Sequence, residues 1–189
     1  MRDVCLKKHL HECLRKEVMM SNKPFSWFAT LHKAVKCPDR RFYFWWRIAS
    51  YLYKREKKPC SYIAQRINRN LIRKYNTEIQ LSAHIGPGLK VTHFLSIVIN
   101  GISVIGKNFK IRQNCTIGIS GSSNKSKVAP FIIIGNDVEI CANSCVIGDN
   151  LSIGNNVTIG AMSFINKDIP DNNVVYTEKT LKMNLKEFA

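Results

Sequence analysis

Between Ile85 and Asn166 aliphatic residues return every six positions, with small or polar residues filling the intervals. In register the stretch reads IGPGLK, an irregular turn around His93, IGKNFK, IRQNCT, a break, and then IGNDVE, ICANSC, VIGDNLS, IGNNVT and IGAMSF. The phase is set by Ile85, Val91, Ile105, Ile111, Ile117, Ile134, Ile140, Val146, Ile153, Ile159 and Ile165. A period of six matches neither an amphipathic helix at about 3.6 nor a two-sided strand at about 2. It matches a solenoid of triangular coils, each side one hexad with its aliphatic residue pointing inward. Gly, Asn and Asp then fall at the corners, where a positive φ costs Gly little and is tolerated by Asn and Asp. Gly86, Gly106, Gly135, Gly154 and Gly160 each directly follow an inward aliphatic residue. The periodicity predicts a parallel β-helix.

The remainder of the 189 residues leaves room for a sizeable appendage. No apolar run approaches the roughly 18 to 20 residues that span a bilayer. The opening MRDVCLKKHLHECLRKE is charged throughout, so no secretory signal is expected and the predicted location is cytoplasmic. The seven cysteines are odd in number, scattered and without a CxxC pair, which suits reduced thiols rather than disulfides or a metal site. Cys141 and Cys145 fall in the repeat and read as small fillers of its wall or core.

The net charge of +16 is unevenly distributed. Residues 1–77 hold 19 Lys and Arg against 5 Asp and Glu, whereas residues 78–189 hold 10 against 8. Helical spacing in the basic part predicts helices over about 1–20, 26–35, 40–58 and, after Pro59, 62–75. The last of these places Ile63, Ile67, Leu71 and Ile72 on one face. The third, RRFYFWWRIASYLYKREKK, is dense in aromatics. Solenoid ends require capping, so Phe42, Phe44, Trp45, Trp46 and Tyr51 are expected to cover the first coil. The surplus charge fits an anionic membrane surface. Nucleic acid is not expected, because no recognition-helix motif accompanies the charge. The expected organisation is a basic α-helical region over 1–77, a β-helix over 78–175 and a tail over 176–189. GISGSSNKSKVAP, between the hexads of Ile117 and Ile134, reads as a polar loop leaving the wall.

From Glu78 to Asp171 the chain resembles the hexapeptide-repeat acyltransferases, in particular the serine O-acetyltransferase-like branch that includes bacterial surface-polysaccharide O-acetyltransferases. The resemblance is carried by Glu78-Ile79, IGPGLKVTH, IVIN, VIGKNFKI, QNCTIG, Ala129-Pro130, IGNDVEI, IGNNVTIGA and NKDIP. It implies a mainly β protein, a left-handed parallel β-helix behind an α-helical N-terminal region. It also implies a homotrimer with active sites between neighbouring solenoids and acetyl-CoA as co-substrate. His93, fifteen residues after Glu78, stands at the position of the family's general base, and Glu78 at that of its acidic partner. Only an unprotonated imidazole can take the hydroxyl proton, and imidazole is largely in that form at neutral pH. A carboxylate beside it holds the tautomer and stabilises the imidazolium.

For acetyl-CoA, the resemblance implies that Gly118, Ala142 and Ala161 lie along the pantetheine arm and that Asn166 and Lys167 lie near the phosphates, where a cation has a direct electrostatic role. Lys125 and Lys127 of the excursion loop are further candidates. No metal is expected, since the coils offer only His84 and His93 where a β-helical metal site takes three histidines. His84 reads as structural, and His9, His11 and His32 as surface residues.

Departures from the family pattern bear on the acceptor. Serine acetyltransferases carry Asp before the base and an Arg-His-Pro context in the long loop; here those positions are Thr92 and Val128-Ala129-Pro130. Two ionic contacts for a zwitterionic amino acid are therefore missing, which favours a sugar hydroxyl, free or lipid-linked. Serine O-acetylation, sugar N-acetylation and a non-catalytic scaffold anchored by its basic helices are the alternatives. The Gly-x-Pro-Ala-type turn of the family is replaced by Val175-Tyr176-Thr177-Glu178-Lys179, which alters the adenine end of the cofactor path.

Overall fold

The hexads close into three parallel sheets that the chain visits in rotation. The computed structural model describes residues 2–121, 129–180 and 182–183. The first face stacks Thr77–Ile79, Ile97–Ile99, Thr116–Gly118, Cys145–Ile147 and Phe164–Ile165. The second stacks His84–Ile85, Ser103–Ile105, Phe131–Ile134 and Asn150–Ile153, and the third Lys90–Thr92, Lys110–Arg112, Glu139–Ile140, Thr158–Ile159 and Val174–Val175. Register is fixed by the repeat, for example Ile105 against Ile134 and Ile111 against Ile140. All eleven phase-setting residues are buried, and Phe109, Cys115 and Val138 fill the axis between them. The fold is the predicted parallel β-helix.

The corners obey two different rules. On the edge joining the second face to the third, Asn108, Asp137, Asn156 and Asn172 adopt φ between 53° and 61°. Their side chains form a ladder, with Asn108 Nδ2 donating to Asp137 Oδ1 (2.8 Å) and Asn156 Nδ2 to Asn172 Oδ1 (2.9 Å). Short side chains that bond locally make the left-handed conformation tolerable. The glycines after the inward residues differ from expectation, because Gly88 and Gly121 are the described glycines with positive φ. Gly86, Gly106 and Gly135 are there for close stacking. A Cβ at Gly135 would lie 2.6 Å from the Gly154 carbonyl oxygen and 2.7 Å from the Asn155 nitrogen.

Four helices precede the solenoid: α1 (Arg2–Leu14), continued by a π-helical turn (Arg15–Met19), α2 (Trp27–Lys36), α3 (Arg41–Lys54) and α4 (Lys58–Tyr75). Ser26 caps α2, its Oγ accepting from Ala29 N at 3.4 Å. Helix α4 starts earlier than the spacing suggested, because Pro59 sits in its first turn, where a missing N–H costs nothing. Its buried residues are Ala64 and Leu71, while Ile63 is exposed and Ile67 and Ile72 are half-buried.

Helix α3 is the cap. A solenoid's first coil presents backbone groups with no coil before it, and buried ones must find partners. One stripe of α3 supplies them. Trp46 Nε1 donates to Ile79 O (3.1 Å), Ser50 Oγ to Leu81 O (3.0 Å) and Lys54 Nζ to Ala83 O (2.7 Å). Arg47 donates to Ile85 O (2.6 Å) and Gly86 O (2.9 Å), and the Tyr43 hydroxyl accepts from Val91 N (2.9 Å). Phe42 and Trp46 enter the solenoid core directly. Phe44 and Tyr51 instead pack in a second cluster among the helices, and Trp45 stays largely exposed. Two of the five aromatics thus reach the solenoid core.

Arg47 is held by Glu17 in a buried two-pronged ion pair, Nε to Oε2 at 2.8 Å and Nη2 to Oε1 at 2.6 Å. Glu17 Oε1 also accepts from Gly88 N and Leu89 N, both at 2.9 Å. Such a pair survives burial only when its remaining hydrogen-bonding capacity is satisfied, and here the first coil's backbone does that. The pair pins the π-helical turn, α3 and the solenoid at one point.

Candidate functional site

The edge joining the third face to the first carries the proposed chemistry. His93 lies there on the turn after Lys90–Thr92, exposed, with φ of 61°. The turn is left-handed again at Ser96. It is anchored from both sides. Phe94 packs among Phe42, Tyr43 and Tyr75, with ring centroids 4.7, 5.9 and 5.3 Å away. Ser96 N donates to Asn76 O at 2.7 Å, and Asn76 Nδ2 to Ser96 Oγ at 3.3 Å. Asn76 caps the end of α4 with a left-handed backbone and precedes Glu78 by two residues. The same contact therefore brings the His93 turn beside the strand bearing Glu78.

Glu78 points outward from the first face, its neighbour across the sheet being Val98. Among the described residues no hydrogen bond joins Glu78 to His93. Their segments are neighbours without a hydrogen bond between the two side chains, and hydrogen bonds between reacting groups are often made only once substrate is bound. Thr92, the residue before His93, is half-buried.

The other expected residues divide between two edges of the first face. Ala142 and Ala161 continue the His93 edge upward, linked by Met162 N donating to Ala142 O at 2.9 Å. Lys179 Nζ donates to Ala161 O at 3.4 Å, so the segment around Lys179 lies against this edge. Gly118 ends a strand on the opposite edge, with Gly148 N donating to its carbonyl at 3.1 Å. Asn166 and Lys167 lie on that same edge and line a shallow groove of about 270 Å³ with Phe164, Asp168 and Pro170. Gly118 is small without packing need: a Cβ there would meet nothing closer than Ile147 Cδ1 at 3.6 Å. Lys125 and Lys127 lie outside the described residues.

A cluster under the cap went unread in the sequence. His9 is half-buried, stacked on His84 with centroids 4.9 Å apart, and its Nε2 lies 3.5 Å from Cys13 Sγ. Burial, with Arg47, His84 and Lys54 adding like charge, lowers the His9 pKa to about 4. Burial and the nearby Arg47 lower that of Lys54 to about 8. Burial, then Lys54 and Arg47, lowers that of His84. Burial raises the Cys13 thiol to about 12, which keeps it protonated and inert. The signal was present as His9, Cys13 and Glu17 spaced by four on one helical face, opposite Arg47, Ser50 and Lys54 on an aromatic helix. His11 is also half-buried, stacked on Phe25 at 4.0 Å, while His32 is exposed as expected.

No protein-family model matches the chain. It is 42% identical over 105 residues to the Escherichia coli K12 protein WcaB, named for acetyl transfer in colanic acid biosynthesis, covering 56% of this chain and 62% of WcaB. It is 37% identical over 124 residues to a serine acetyltransferase of Staphylococcus epidermidis, covering 65% of this chain and 54% of that one. The chain thus spans somewhat less than two thirds of the length of these relatives. Among solved structures, serine acetyltransferase isoform 3 of Entamoeba histolytica aligns over 97% of this chain and 62% of its own, with TM-score 0.70 and 20% identity. Soybean serine acetyltransferase aligns over 92% and 66%, with TM-score 0.68 and 23% identity. Across the solenoid the chain is thus similar in sequence to proteins named as acetyltransferases, and across nearly all its length it shares the fold of solved serine acetyltransferases.

Proposed function

We propose that the protein transfers acetyl from acetyl-CoA to a hydroxyl of a sugar in a surface polysaccharide or its lipid-linked precursor. The observation that carries the reading is His93, exposed on a doubly anchored left-handed turn beside the strand of Glu78. In this reading the His93 imidazole takes the acceptor's hydroxyl proton as the oxygen attacks the thioester carbonyl. The C–S bond then breaks and the coenzyme leaves as a thiol. Glu78 orients the imidazole and offsets its developing charge. Backbone N–H groups along the wall stabilise the oxyanion.

The division of Gly118, Asn166 and Lys167 from His93, Ala142 and Ala161 supports a homotrimer, in which one solenoid offers one edge and its neighbour the other. Outward side chains agree with that assembly. Val98 on the first face and Val104 and Ile133 on the second are exposed and apolar, whereas the third face presents Lys90, Lys110, Arg112 and Glu139.

Thr92 and Ala129 favour a saccharide, since neither carries a charge that could form an ion pair with the ammonium or carboxylate of an amino acid. Serine remains the second acceptor because the structural relatives are serine acetyltransferases. Thiol release from acetyl-CoA, followed with purified lipid-linked oligosaccharide or polysaccharide and separately with serine, decides between them. Release with saccharide, giving a product labile to mild alkali as esters are, is the expected outcome. Release with serine alone overturns it, and an alkali-stable product makes the enzyme an N-acetyltransferase.

A further inference from the structure

Helix α2 turns one face to the cap and leaves the other unpartnered. Thr30 and Ala34 are buried, while Phe28, Leu31 and Val35, at helical spacings of three and four, are 82%, 49% and 71% exposed. The stripe does not end with the helix. A hollow of about 320 Å³ runs from Leu31 and Val35 to Phe44, Trp45 and Ile48 of α3. A second, of about 280 Å³, continues from Trp45 to Ile67, Leu71 and Tyr75 of α4. Trp45, 46% exposed, forms the wall between them. One apolar surface therefore crosses three helices, and it is larger in extent than the singly scattered apolar residues of an ordinary surface.

Cations frame it. Arg41 lines both hollows and Lys74 the second, and Lys36 follows Val35 at the end of α2. Among the described residues none of the three has a carboxylate partner. Arg41 instead donates to Ala34 O (3.1 Å) and Val35 O (2.5 Å), which ties the end of α2 to α3.

We infer that this face docks on a bilayer bearing anionic headgroups, with Phe28, Leu31, Val35 and Trp45 entering the interface and the surrounding cations meeting the phosphates. Charge decides the occupant. Residues 1–77 carry 19 Lys and Arg against 5 Asp and Glu, so a second copy would bring like charge to the contact while an anionic lipid surface brings its opposite. An apolar stripe with a tryptophan wall and a basic rim is the composition that interfacial helices use. The placement also has a use. Tyr75 lines the second hollow and packs on Phe94, the residue after His93. The docking face and the base are thus separated by one layer of aromatic rings, so an acceptor held in the bilayer by a lipid tail would present its sugar near His93. This last use rests on the acetyltransferase reading, whereas the docking itself does not.

The test is co-sedimentation of the full chain with vesicles of phosphatidylcholine containing phosphatidylglycerol and with phosphatidylcholine alone, alongside analytical ultracentrifugation without lipid. The comparison variant is Phe28→Gln with Val35→Gln, two exposed positions whose change leaves the fold intact, as circular dichroism and thiol release with a soluble acceptor will verify. Expected are binding to the anionic vesicles, weakening at high salt, and a loss of about tenfold or more in the variant from the apolar burial forgone. Absence of binding to either vesicle overturns the proposal. So does equal binding by the variant, which would mean that charge alone holds the protein elsewhere. A variant that sediments as a smaller species than wild type overturns it as well, identifying the face as a contact between copies.

Discussion

At the scale of single residues, the repeat shows how one letter can serve two purposes. Asn108, Asp137, Asn156 and Asn172 hold left-handed corners, and the tolerance of Asn and Asp for that conformation was readable directly. Gly86, Gly106 and Gly135 looked equivalent in the sequence, yet they are required by backbone stacked on backbone. Coil-to-coil distance is a property of the assembled solenoid, so periodicity alone could not reveal it. Two substitutions separate the purposes. Gly135→Ala forces a Cβ to within 2.6 Å of the next coil's carbonyl and should cost about 1–3 kcal/mol, read as a lower urea midpoint with an unchanged slope. Gly118→Ala, whose nearest neighbour is 3.6 Å away, should leave the midpoint within about 0.5 kcal/mol of wild type.

At the scale of elements, the hexads declared the solenoid strand by strand, while the seat of the helices on it was legible only in part. Aromatic density marked α3 as the cap, but its contact stripe is chosen by where the first coil's carbonyls lie. Hence Trp46 is buried and its neighbour Trp45 is not. The polar members of the stripe were hidden among the many cations of the region, and with them the His9 cluster. That cluster gives the cap a dependence on pH. An unfolded histidine takes up its proton near pH 6.5, whereas native His9 resists protonation down to about pH 4. Its contribution is complete above pH 6.5 and is lost as the pH falls toward 4. Because the ring is partly open to solvent, the loss is discounted to about 1 kcal/mol between pH 7 and pH 5. Urea midpoints at the two pH values should fall by that much more in wild type than in His9→Gln. Equal slopes would place the proton uptake elsewhere.

At the scale of the molecule, a rigid prism carries the candidate site along two edges of one face, and a basic helical cap fixes the turn that bears His93. His93 and Glu78 were singled out through the resemblance of their segments to a known family rather than through spacing alone, and the structure brings those two segments side by side through Asn76 and Ser96. How the two side chains are oriented was not legible, since both are exposed and nothing in the sequence sets their rotamers. The central claim is that acetyl transfer occurs at this edge with His93 as base, and the most direct measurement is thiol release from acetyl-CoA by wild type and His93→Ala in the presence of saccharide acceptor. The account predicts a fall of about 10²- to 10⁴-fold in the variant with its unfolding midpoint preserved. Turnover undiminished in His93→Ala would contradict it and move the chemistry away from this turn.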